Sequence, residues 1–352
     1  MKRYSAFSSQ IQSHADPDND IYQLTPLDHS FERRRIDIPD LEDYKTWKCD
    51  FHIHTVFSDG MVWPSARVYE AWKEGLDVVA ITDHIEQHLN QHYLKGDLND
   101  AYKIAEESAG DWEMTVIPGA EITRGEPFGH LSTLFIDDAN LLKTDDPLVA
   151  VERAKQQGAF ISWNHPGWMK TETTLDPLHK RLIDEQKIDG IEVMSNRDFY
   201  PAALKWCALY HKTCLACTDI HGLISETYGS AKLSRPITLV FAKDKSVASI
   251  REALFAGRTL ALFDGLLAGA EELLRKMVIA SLRMHPSNSW WFEITNLSDL
   301  PFEMLYSETH YVIRPKTTLK IESSSHTKME MTNCFAENGR SLSIEREEFI
   351  KI

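Results

Sequence analysis

Between Cys49 and Gly265 one theme repeats: short apolar runs alternate with segments of helical period, and polar residues gather just behind the runs. The strand-like runs are 49–55, 77–82, 114–122, 130–136, 158–164, 189–195, 213–219 and 237–242. Helix-period segments lie at 64–75, 100–109, 147–157, 177–187, 200–212 and 246–256. Pro64 near a helix start and Gly75, Gly158 and Gly257 past helix ends fit normal helix punctuation. Such alternation predicts a parallel sheet with helices outside it. The polar clusters favour a barrel over an open sheet. His52/His54/Asp59, Asp83-His84, Glu121, Asn164-His165-Pro166, Glu192 and Asp219-Ile220-His221 each follow a different run. Strand ends converge on one face only when the sheet curls into a barrel, whereas an open sheet concentrates its ligands at a single switch point.

The segment Cys49 to Gly60 carries the sharpest chemical signal. Side chains alternate along a strand, so His52 and His54 share a face while Ile53 packs on the other. Two imidazoles so placed can grip one cation, and Asp59 in its Ser-Asp-Gly turn adds a hard oxygen. The run Val78 to Thr82 is a buried strand that delivers Asp83-His84 at its tip. A lone histidine at a strand end is ordinarily a hydrogen-bonded structural residue, but the ordered set points to a metal centre that performs hydrolysis. Asp83 and Glu192 are expected to orient ligands rather than to ligate. His88 and His92, amid Gln87, Asn90 and Gln91, are expected on a solvated helix face.

His52-x-His54 with Asp59, Thr82-Asp83-His84, Pro118-Gly119-Ala120-Glu121, Gly129-His130-Leu131, Asn164-His165-Pro166 and Asp219-Ile220-His221-Gly222 stand in the order seen in the PHP (polymerase and histidinol phosphatase) family, which this chain resembles over about 49–260. The resemblance implies a distorted (β/α)7 barrel holding two or three divalent ions (zinc, manganese or iron). By position, His52, His54, Glu121 and Asp219 resemble the ligands of a first metal. Glu121, His130 and His165 resemble those of a second, and Asp59, His84 and His221 those of a third. Mixed imidazole and carboxylate donors suit these metals better than calcium or magnesium. Three carboxylates do not neutralise three divalent ions, so such a site stays cationic and attracts phosphate oxygens. The expected activity is therefore hydrolysis of a small-molecule phosphate ester, mono- or diester, by hydroxide held between metals, with His221 or Asp219 assisting proton transfer. Arg197, Arg124 and Lys170 are candidate anchors for the substrate anion. Two alternatives remain: a carboxylic-ester or carbamate hydrolase of the same family, which Ile250 to Thr259 resembles, and a non-catalytic scaffold.

A chain of 352 residues can bury a large core, and a net charge of −15 argues against a nucleic-acid groove. No apolar run is long enough to span a membrane and no signal peptide is visible, which makes the cytoplasm the default location. A chain beginning at a mature end is equally compatible with export to the periplasm. A homo-oligomer is compatible with the sequence too. Five scattered cysteines do not form a disulfide framework, and Cys214 and Cys217 are expected as buried thiols in a strand. Residues 1–45 read as an N-terminal extension, 46–284 as the metallohydrolase barrel, with 266–284 as helix or linker. Residues 285–352 read as a small β-sandwich-like domain with Trp290, Trp291 and Phe292 in its core or interface.

Overall fold

The computed structural model describes residues 32–229, 234–286 and 290–349. The expected extension over 1–45 therefore lies mostly outside the described residues. The first half alternates strands and helices: β1 (Lys45–Asp50), α1 (Pro64–Lys73), β2 (Val78–Ile81), α2 (Asp100–Trp112), β3 (Thr115–Thr123), β4 (His130–Leu134), α3 (Pro147–Gln156) and β5 (Phe160–Trp163). It continues through α4 (Pro177–Asp184), β6 (Gly190–Ser195), the short β7 (Asp198–Phe199), α5 (Pro201–Tyr210), β8 (Thr213–Cys217) and α6 (Ile224–Tyr228). Helices α1, α3, α4 and α5 all begin on proline, where the missing N–H would have had no intrahelical partner. Asp146 and Asp176 cap α3 and α4 by accepting the N–H groups of Leu148 and Leu178. Strands β2, β5, β6 and β8 are buried along their whole length, as expected of strands covered on both faces.

The result is a mixed α/β fold whose central sheet is rich in parallel strands. β1, β2 and β3 pair in parallel, as do β5, β6 and β8. Two of the strands expected from the sequence depart from the all-parallel arrangement, and the short β7 folds back antiparallel on β6. β4 runs antiparallel to both β3 and β5, because the connection 124–129 is too short to hold a crossover helix. β9 (Ile237–Ala242) runs antiparallel to β1, and only the short α6 is described between it and β8. The described ladder does not close between β8 and β1. A single parallel bridge, Ile53 with Ile220, joins the chain beyond them.

After α7 (Val247–Phe255) and β10 (Thr259–Phe263), Leu266–Gly269 forms β11, a hairpin partner of β10 rather than the start of a helix or linker. Helix α8 (Glu271–Ser281) follows, then β12 (Leu282–Pro286), β13 (Trp291–Asn296), β14 (Phe302–Tyr306), β15 (Thr309–Ile313), β16 (Thr318–Glu322), β17 (Lys328–Ala336) and β18 (Ser341–Glu345). β12, β13 and β16 form their own sheet, while β17 pairs in parallel with β11 and so extends the main one. Phe292 and Ile294 of the small sheet share a core with Phe302, Met304 and Tyr306. The strand period turns Trp291 outward, so of the three consecutive aromatics only Phe292 is buried.

Below the strand tips, fully buried Asp50 ends β1. Its carboxylate accepts from the Arg235 guanidinium and from both the N–H and hydroxyl of Thr218, and Arg235 also meets Glu74 at 3.0 Å. Asp50→Ala would strand that guanidinium without its closest partner. The expected loss is about 3–5 kcal/mol in a urea titration, and a loss under about 1 kcal/mol would show that the pair does not hold β1 to the segment after β8.

Candidate metal centre

His52 and His54 lie just past β1 and are fully buried, with Ile53 buried between them. Their Nε2 atoms stand 3.0 Å apart. Asp219, just past β8, sets Oδ1 at 3.2 Å from His52 Nε2 and 3.0 Å from His54 Nε2. From β3, Glu121 Oε1 lies 3.4 Å from His52 Nε2, 3.2 Å from His130 Nδ1 and 3.9 Å from His165 Nε2. A third group surrounds Asp59 Oδ1, with His221 Nε2 at 3.2 Å and His84 Nε2 at 3.4 Å. Donor atoms lie within 4.8 Å of one another in the sets His54/Asp59/His84/His221, His52/His54/Asp219 and His52/Glu121/His165. The structure thus brings together all nine residues expected from the sequence as ligands, with His130 reaching the cluster through Glu121.

Main-chain bonds between strand tips hold this convergence. Asp219 N donates to His52 O, His54 N to Ile220 O, Thr82 N to Ile53 O and Glu121 N to Asp83 O. Asp219 adopts a left-handed backbone (φ 52°), which turns the chain sharply as it leaves β8. The turn carrying Asp59 is tied down by Asp83, which accepts from Thr55 N, Thr55 Oγ1 and Ser58 Oγ. Gly60 closes that turn so tightly that a Cβ would sit 2.8 Å from the His54–Thr55 main chain. Glu192 Oε1 accepts from His52 Nδ1 at 2.8 Å while its Oε2 accepts from His165 N. That bond keeps a proton on Nδ1, so the proton His52 gives up on binding a cation is the one on Nε2, whose lone pair then faces the cluster.

The donor set fits divalent metal. His54 Nδ1 is buried without a hydrogen-bond partner, an orphan that is costly unless a cation satisfies it, while buried Asp59 Oδ1 and Glu121 Oε2 face only imidazole nitrogens, at 3.2–3.4 Å and 2.6 Å. Burial disfavours charge on His52, yet Asp219, Glu192 and Glu121 outweigh it and hold its pKa well above the usual value. His84 is likewise driven up, to about 10, because its bonds to Asp59 and Glu121 overcome desolvation. Burial alone wins at His165 and His54, which are lowered. Desolvation opposes ionisation of Glu121 as well, but the surrounding imidazoles keep it well below the ordinary range.

Of the candidate anchors, Arg124 and Lys170 line a cleft beside His130 and His165, while Arg197 donates to the Thr227 carbonyl. Arg124 is paired with Glu86, and Lys170 Nζ meets Glu126 at 2.7 Å. His88 bonds the Phe57 and Ile85 carbonyls and serves the loop, not a cation. All five cysteines are free and buried. Three contributors had no role assigned from sequence. Asn164 donates to Glu121 Oε1 at 2.8 Å, Thr123 Oγ1 lies 2.6 Å from His84 Nδ1, and buried Arg67 spans the His54, Gly222 and His221 carbonyls. Asn164 was detectable as a polar residue at a strand tip beside His165; Arg67, a mid-helix residue, carried no such mark.

No family model matches the sequence. Among solved structures, the chain is similar to a two-domain protein from Bacteroides vulgatus containing a predicted PHP-like metal-dependent phosphoesterase. Identity is 35%, with 89% of this chain and 98% of that one covered and a TM-score of 0.84. An uncharacterised protein of Methanocaldococcus jannaschii is 29% identical over 162 residues, which is 42% of this chain and 81% of that protein.

Glu192→Gln keeps the shape but removes the charge and one of the two acceptor oxygens, so His52 Nδ1 and His165 N can no longer both be served. Metal affinity should fall about 10–100-fold in a competitive chelator titration, and unchanged affinity would deny Glu192 this role. In the metal-free protein the raised pKa values of His52, His84 and His221 mean protonated imidazoles whose carboxylate contacts are lost as pH rises, for His84 through about 10. Metal must displace those protons. Adding zinc or manganese to chelator-treated protein at pH 7 should release protons to an indicator dye, and uptake should weaken as pH falls. Uptake without proton release would contradict this protonation pattern.

Proposed function

Since this chain belongs to the PHP-like family of metal-dependent phosphoesterases, we propose that it hydrolyses phosphate esters of small molecules at the histidine and carboxylate cluster. The observation that carries this reading is the convergence of His52, His54, Asp59, His84, Glu121, His130, His165, Asp219 and His221, with His54 Nδ1 buried and unpaired among them. In this reading His52, His54, Glu121 and Asp219 hold one ion, Glu121, His130 and His165 a second, and Asp59, His84 and His221 a third. We read β1–β6 and β8 as a distorted (β/α)7 barrel, supported by the bonds from Asp219 N to His52 O and from His54 N to Ile220 O. Residues 46–284 form the catalytic unit and 285–352 a β-rich appendage.

Bound divalent ions supply positive charge for the phosphoryl oxygens and acidify a water. The chain's own residues do the positioning. Glu192 fixes the His52 tautomer, and Asn164 holds Glu121 Oε1 so that the carboxylate spans two groups. His221 Nδ1 donates to the Asp219 carbonyl and its side chain is 36% exposed. This places His221, with Asp219, where a proton can pass between the cluster and water, the role we assign to them. Arg197 remains a candidate for contact with the ester, and Arg124 and Lys170 are candidates only on leaving Glu86 and Glu126.

The segment that suggested carbamate hydrolysis, Ile250 to Thr259, forms α7 and the start of β10. Its contacts are with Gly158 and Thr213, at the strand starts opposite the cluster. The protein should therefore turn over p-nitrophenyl phosphate or bis-p-nitrophenyl phosphate in preference to aryl carbamates and acetates. His52→Ala/His54→Ala should lower that turnover by more than about a hundredfold. Equal rates in the two proteins, or a carbamate preference, would reject the assignment.

A further inference from the structure

On the His130/His165 side the mouth of the centre opens into a cleft of ≈ 650 Å³. Its most unusual feature is Trp168, which is 49% exposed although it lies directly beside two candidate ligands. The indole centroid is 5.6 Å from the His130 ring and 5.4 Å from the His165 ring. The turn that presents it is built, not loose. Trp168 N donates to His165 O at 2.9 Å and Lys170 N to Gly167 O at 3.0 Å. His165 and Met169 both take left-handed backbones, at φ 27° and 56°. Gly167 is seated so closely that a Cβ would come within 2.6 Å of Thr173 Oγ1 and 2.8 Å of the Tyr200 ring. A half-exposed indole is therefore presented from a fixed main-chain turn, next to where the reacting phosphoryl group would sit. Apolar Met169 stands exposed beside it.

The charges of the cleft narrow what that face receives. Both lining cations are already neutralised, Arg124 by Glu86 and Lys170 by Glu126. A second phosphate or a polyanionic strand would have to break those pairs, in a protein of net charge −15. An uncharged planar ring breaks neither, and it gains contact with the indole. Resting on the phosphoesterase reading above, we propose that Trp168 is the stacking platform for an uncharged aromatic alcohol portion of a phosphomonoester, and so a specificity-determining residue.

The test compares benzylphosphonate with cyclohexylmethylphosphonate, which differ in aromaticity but carry the same anion, by calorimetric titration of the metal-loaded protein. Stacking predicts that the wild type binds the benzyl compound roughly three- to tenfold more tightly. Trp168→Ala should abolish that ratio and Trp168→Phe should keep most of it. Equal affinities in the wild type, a ratio that survives in Trp168→Ala, or no binding of either phosphonate overturns the proposal. Turnover of benzyl phosphate separates this from the parent reading. Selective phosphonate binding without turnover leaves the platform standing and removes the phosphoesterase assignment. Turnover of benzyl and cyclohexylmethyl phosphates at equal kcat/KM, with no binding preference, does the reverse.

Discussion

Lone pairs pointed at one another in a dry interior are the constraint from which the rest of this architecture follows. His52 Nε2 and His54 Nε2 face each other at 3.0 Å with Asp219 Oδ1 beside both, and a fully buried Glu121 presses against imidazoles from four strands. Neutral imidazoles and ionised carboxylates crowded in this way repel, and protons relieve the repulsion only in part. That is why His52 and His84 are driven toward the protonated state while His54 and His165, which desolvation dominates, are not. Cations relieve all of it at once. Metal binding and the stability of the strand tips are therefore one problem in this fold.

Holding such a cluster open requires that each donor be fixed from behind. The tips of β1, β2, β3 and the segment after β8 are laced by main-chain bonds, so none of the four can retreat alone. Glu192 ties His52 to the His165 main chain, and Asp83 folds the Asp59 turn through Thr55 and Ser58. Lower down, Asp50 joins Arg235 and Thr218 and fixes the stem from which His52 and His54 project. Of the acids outside the ligand set, Glu192 thus orients an imidazole, Asp83 braces a turn and Asp50 anchors the stem.

The cluster was legible in the sequence because strand periodicity and strand-tip chemistry are local. His52 and His54 sit two apart, Asp83-His84 and Asp219-Ile220-His221 end apolar runs, and no distant partner is needed to see it. Strand direction was not legible, since it depends on connections: the 124–129 turn reverses β4, and the alternation reading passed over it. The pairing of β11 with β17 joins residues far apart in sequence and left no local trace, so Leu266 to Gly269 looked like the start of a helix. Trp290 and Trp291 misled through composition, since strand alternation buries only their neighbour Phe292. The cations Arg124 and Lys170 were read as bare charges, and only the folded loops reveal Glu86 and Glu126 beside them.

That last point reshapes how an acidic protein recognises an anion. With Arg124 and Lys170 paired, the positive field on the His130/His165 side has to come from the metal cluster itself, and its reach is short once water and salt intervene. Under the proposed phosphoesterase activity, attraction acts on the phosphoryl group, and selection among esters falls to whatever contacts the remainder of the molecule. On the His130/His165 side that surface is an indole on a rigid turn, flanked by Met169 and two neutral ion pairs. Charge thus supplies capture and apolar shape supplies discrimination, because a surface without net charge distinguishes an aromatic ring from a second anion by what it declines to stabilise.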